Sequence, residues 1–65
     1  MQFIKQGYGY WDVTKYPYGG DFRRATEDRP IKEVLGGEIG SRESRVKLLD
    51  GSIAVVKTEY IGESL

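Results

Sequence analysis

An alternation of polar and apolar residues that breaks at Asp50-Gly51 and then resumes constrains this chain more than any other feature. Ser44-Arg45-Val46-Lys47-Leu48-Leu49 and Ser52-Ile53-Ala54-Val55-Val56-Lys57 flank a dipeptide that readily supplies the positive φ of a tight turn, so the segment from Glu43 to Thr58 reads as a β-hairpin. A two-residue turn would set Leu48 against Ile53 and Val46 against Val55. The period-2 rule then buries those four side chains and leaves Arg45 and Lys47 on a wet face beside Ala54 and Val56.

A lone hairpin is marginal in water, so further strands or a helix must cover its apolar face. The N-terminal third offers two strands, over Phe3-Ile4-Lys5-Gln6 and Tyr10-Trp11-Asp12-Val13-Thr14-Lys15, separated by a Gly7-Tyr8-Gly9 turn or bulge. Tyr16-Pro17-Tyr18-Gly19-Gly20-Asp21 ends the second strand, and Phe22 to Arg29 reads as an exposed loop. Ile31-Lys32-Glu33-Val34-Leu35 spaces its apolar residues at i, i+3 and i+4 after Pro30. A short helix capped by Asp28 and ended by Gly36 competes evenly there with a strand. Tyr60 and Ile61 are expected to fold back on the core.

With 65 residues, the chain is expected to form a single small β-rich domain spanning 1–65 that buries only about 60% of the surface its unfolded form exposes. The expected fold class is all-β, or β-rich with one short helix: a small bent sheet or an SH3-like or Sm-like barrel of four to five strands. No cysteine or histidine is present, which removes disulfides, the usual zinc ligands and the Ser-His and Cys-His nucleophile pairs. The carboxylates read as surface groups, no D-x-D-x-D-G calcium loop occurs, and Gly36-Gly37-Glu38-Ile39-Gly40-Ser41 lacks the lysine and following helix of a phosphate-cradling loop. The reading is a non-enzyme without cofactors or metal. No apolar run approaches the ~20 residues of a membrane helix, so no membrane partner is expected, and the chain is expected in the cytoplasm.

Composition departs from that of an ordinary small domain in one place, Tyr8 to Arg24, where six residues are aromatic. In an extended strand Trp11 and Val13 share one face and Tyr8 and Tyr10 the other. Trp11 with Val13 is expected to be the core pair, leaving the tyrosines partly exposed. Tyr8, Tyr10, Tyr16, Tyr18 and Phe22, with Arg23 and Arg24, are thus the candidate residues for binding another protein, in a regulator, inhibitor or assembly part. The alternative partner is nucleic acid, with the same aromatics stacking on bases and Lys15, Arg45 and Lys47 joining the arginines on phosphate. Ten basic and ten acidic side chains cancel, which favours the protein partner, because phosphate contacts require a local excess of cations. A second copy of the chain, giving a homodimer, is a further candidate.

Overall fold

The computed structural model describes residues 1–15, 20–36 and 42–64. Its strands are β1 (Gln2–Ile4), β2 (Gly9–Asp12), β3 (Asp21–Arg24), β4 (Arg29–Gly36), β5 (Glu43–Leu48), β6 (Ile53–Lys57) and β7 (Ile61–Glu63), with a three-residue 3-10 turn at Thr58–Tyr60. All pairings are antiparallel, in the order β3-β2-β6-β5-β4-β1-β7. The protein is all-β, with seven short strands among the described residues where four or five were expected. No described helix is long and apolar enough to cross a membrane.

The hairpin at Asp50-Gly51 forms in a different register from the one that a two-residue turn imposes. The Leu48 N–H donates to the Ser52 carbonyl at 2.9 Å and the Gly51 N–H to the Leu48 carbonyl at 3.0 Å, so Leu49, Asp50 and Gly51 form a three-residue loop. Only Gly51 has positive φ, at 92°, which is a type I turn closed by a glycine bulge. Asp50 favours this form because its carboxylate accepts the Ser52 N–H at 2.9 Å. Slipping by one residue inverts every side chain of β6. Val46 lies opposite Ala54, Ser44 opposite Val56, Lys47 opposite Ile53 and Arg45 opposite Val55. The buried face is therefore Ser44, Val46, Leu48, Ala54 and Val56.

Ile4, Tyr10, Ala25 and Ile31 complete the core, with Tyr60 and Ile61 packed against it as expected. The one buried polar side chain among the described residues, Ser44, is satisfied by a 2.7 Å hydrogen bond with the Thr58 hydroxyl.

Residues 31–35 are strand, because the edge of β5 is free to pair and a single helical turn would leave those groups unsatisfied. Irregularities between Ile31 and Glu33 and between Val34 and Gly36 bend β4. Its first residues, Arg29 and Pro30, lie beside β1. The segment from Asp21 to Arg24 is likewise a strand and not loop, held against β2. The expected N-terminal strands exist in shortened form around a turn at Gly7, but they separate: β1 joins β4 and β7, whereas β2 joins β3 and β6.

Candidate outer-face binding site

β2 presents its side chains in the opposite sense to the one expected. Tyr10 is buried at 4% exposure and Trp11 is 44% exposed. Trp11 lies opposite Val55, which the three-residue hairpin loop turns to the outside, so Trp11 follows Val55 outward and Tyr10 goes into the core. Val13 is buried as expected, although it shares Trp11's parity, because the chain leaves the strand at Asp12. There the Asp12 carboxylate accepts the Thr14 N–H at 3.0 Å and the Thr14 hydroxyl at 2.6 Å. That hydroxyl oxygen in turn accepts the Ile53 N–H at 2.9 Å.

Cross-strand register lays out the outer face. Phe22, Trp11, Val55 and Arg45 form one row across β3, β2, β6 and β5. Ile53 and Lys47 lie to one side of that row, Arg24, Gly9, Lys57 and Glu43 to the other. The Trp11 and Phe22 rings meet edge to face with centroids 5.2 Å apart, the arrangement aromatic quadrupoles favour. Phe22 remains 58% exposed. Its ring also lies over Gly9, where an added Cβ would fall 2.2 Å from Phe22 Cζ. Glycine at position 9 is thus what lets the tip of the ring reach over the neighbouring strand.

The result is an apolar centre of Phe22, Trp11, Val55 and Ile53 with a charged rim. Among the described strand residues that rim contains Arg24, Arg45, Lys47 and Lys57 against Glu33 and Glu43. A depression of about 510 Å³ follows the margin past Gly9, Trp11, Phe22, Val55, Lys57 and Tyr60. At its end Tyr8 stacks on Tyr60, with centroids 4.2 Å apart and planes at 26°, and the Lys57 ammonium sits 5.5 Å from the Tyr60 ring centre.

The expected binding residues therefore divide. Phe22, Arg24, Arg45 and Lys47 come together on the outer face, and Tyr8 reaches its margin through Tyr60. Tyr10 is removed to the core. Arg23 projects to the opposite side of β3, where its Nε lies 3.2 Å from the Asp12 carboxylate. Lys15 is exposed beside Asp12, Thr14 and Asp21. Tyr16 and Tyr18 lie outside the described residues, as do residues 37–41 of the glycine-rich segment. Trp11, Val55, Ile53 and Lys57 enter the site unannounced. Glycine directly after Leu49-Asp50, in the fourth position of a type I turn, is the signal that would have revealed them.

Among the described residues, the two carboxylates with altered acidity are both held ionised. Asp12 is lowered by the Thr14 hydroxyl, the Thr14 N–H and Arg23, and Asp50 by the Ser52 N–H, the Ser52 hydroxyl and Arg29, whose guanidinium donates to it at 2.8 Å. A carboxylate held this way is a poor general acid or base near neutrality. No protein-family model matches the chain, and no curated protein or solved structure matches it either.

Proposed function

We propose that this chain is a non-enzymatic binding module that docks a partner protein through the outer face of β3, β2, β6 and β5. The observation that carries this reading is the exposed edge-to-face pair of Trp11 and Phe22 on a sheet. Apolar side chains continue from it into Val55 and Ile53, and charges surround it. Apolar centre and polar rim are the anatomy of protein interfaces, in which tryptophan and arginine carry a large share of the energy. Rim charges favour a partner that presents an apolar patch edged with carboxylates. A chain without cysteine suits a reducing cytoplasm.

A second reading rests on one observation: the neutral total charge hides an excess of cations beside the two rings. That arrangement also suits single-stranded nucleic acid. It ranks second because Val55 and Ile53 offer no stacking surface, and because Trp11 and Phe22 turn edge to face on each other instead of standing apart to receive bases.

The test is a Trp11→Ala/Phe22→Ala variant, with Val34→Ala as an exposed control off this face. The double variant is expected to remain folded yet lose the protein that the native chain captures, while Val34→Ala keeps it. Capture undiminished in the folded double variant removes the proposal. A saturable, salt-weakened change in Trp11 emission with single-stranded oligonucleotides, and no captured protein, moves the assignment to nucleic acid.

A further inference from the structure

β3 ends the described sheet, and its sequence is complementary to itself. We propose that two copies of this chain pair β3 with β3 across a two-fold axis through Phe22, fusing their sheets and joining their outer faces.

The edge of β3 that no described strand covers has a definite hydrogen-bond phase. Val13 donates to the Ile53 carbonyl, so odd residues of β2 turn their peptide groups toward β6, leaving those of Tyr10 and Asp12 for β3. Ala25 donates to the Tyr8 carbonyl at 2.9 Å and accepts from the Gly7 N–H at 2.7 Å, so it faces β2. By the two-residue period Arg23 and Asp21 face β2 as well. Both routes agree that Phe22 and Arg24 direct their N–H and C=O groups away from the sheet.

An antiparallel copy that keeps the two outer faces on one side can satisfy those groups in several registers. With Asp21 on the axis, carboxylate opposes carboxylate; with Arg23 on the axis, guanidinium opposes guanidinium. Only the register with Phe22 on the axis opposes Asp21 of each copy to Arg23 of the other. It places Arg24 opposite Gly20, which has no side chain to obstruct it. Charges on an edge strand ordinarily prevent pairing; here the order Asp-Phe-Arg makes them complementary to a reversed copy.

The pairing also resolves a local conflict. Asp12 and Asp21 are directly opposite each other across β2 and β3, and Arg23 reaches only Asp12 among them. In the dimer the second copy's Arg23 faces Asp21. The two rings of Phe22 meet at the axis, so that Trp11, Phe22 and their symmetry mates form one row of four aromatics. This inference goes beyond the docking proposal and stands without it, since dimerisation leaves the outer face open and doubles its width.

Sedimentation equilibrium of the full chain, from micromolar to millimolar concentration, is the test. The native chain is expected to move from 7.4 kDa toward twice that mass. Asp21→Arg alone and Arg23→Asp alone are each expected to stay monomeric, and an equimolar mixture of the two to dimerise, because both cross-strand ion pairs then form between unlike chains. As a check independent of those charges, Phe22→Cys brings two Cα atoms to about 5.5 Å, within disulfide range. It should oxidise to a covalent dimer faster than Arg45→Cys, which is also at an exposed position. A native chain that stays monomeric throughout, single variants that dimerise as well as the native chain, or a mixture that stays monomeric together with equal oxidation at both cysteines would each overturn the proposal. A monomeric native chain that still captures a partner through Trp11 and Phe22 would remove the dimer and leave the docking reading intact.

Discussion

Adding one methyl group at Gly9 should reveal how the aromatic pair is held. The Cβ of Gly9→Ala would lie 2.2 Å from Phe22 Cζ and 2.8 Å from its Cε1, so the ring must swing off the sheet. Phe22 is 58% exposed, leaving about two-fifths of its surface covered. For an aromatic that buries roughly 150–250 Å² in full, this is roughly 60–100 Å², or about 1.5–2.5 kcal/mol at ~25 cal/mol/Å². Removing glycine also stiffens the unfolded chain, returning about 0.4–1 kcal/mol. Gly9→Ala should therefore cost about 1–2 kcal/mol in the native background. In Phe22→Ala, with no ring to displace, it should be neutral or stabilising. The four proteins of this cycle, unfolded in urea and followed by far-ultraviolet circular dichroism, should give a coupling energy of about 1.5–2.5 kcal/mol, the lost burial of the ring, because the glycine contribution cancels. A domain of this length holds roughly 3–10 kcal/mol in total, so the variants remain measurable. If alanine at position 9 costs the same with and without the Phe22 ring, the described packing of Phe22 on Gly9 is wrong.

Three further outcomes follow from the packing and the charges. Val56→Ala should destabilise the fold by about 1–3 kcal/mol through lost burial and a cavity, and Val55→Ala by less than half of that; denaturation midpoints showing the reverse would restore the two-residue-turn register. Gly51 sits at φ 92°, so Gly51→Ala should cost about 1 kcal/mol despite open space around it, and an unchanged midpoint would show that the turn has another form. Asp12 and Asp50 both have folded-state acidities shifted below the ordinary value of 3.8, so their contribution is present above that pH and is lost as the pH falls through the lowered values. Asp12→Asn/Asp50→Asn should accordingly lose less stability between pH 5 and pH 2 than the native chain, and an equal loss in both would contradict the hydrogen bonding at these carboxylates.

Most of the architecture was legible because it follows from local chemistry. The hairpin position, the turn at Gly7, the all-β class and the return of Tyr60 and Ile61 to the core were all readable from turn residues and β-branched runs. Which way Trp11 points was not. That depends on a chain of contacts from the Leu49-Asp50-Gly51 loop to Val55 and then across to β2, and a one-residue error at the loop reverses every later assignment. Strand status for Asp21–Arg24 and Arg29–Gly36 was hidden for a related reason. Polar, exposed residues become strand there because β2 and β5 offer free edges, a property of the assembled sheet and not of the segments themselves. Charge sidedness was equally out of reach, since Arg24, Arg45, Lys47 and Lys57 are scattered in sequence and meet only through pairing.

Photo-crosslinking tests the docking surface most directly. With a photoreactive side chain at Arg45 or Lys47 on the outer face, or at Lys5 or Glu63 away from it, illumination in lysate is followed by mass spectrometry of the adducts. The account predicts one protein adduct shared by positions 45 and 47 and missing from 5 and 63. Adducts confined to positions 5 and 63, or outer-face adducts consisting of nucleic acid alone, would contradict it.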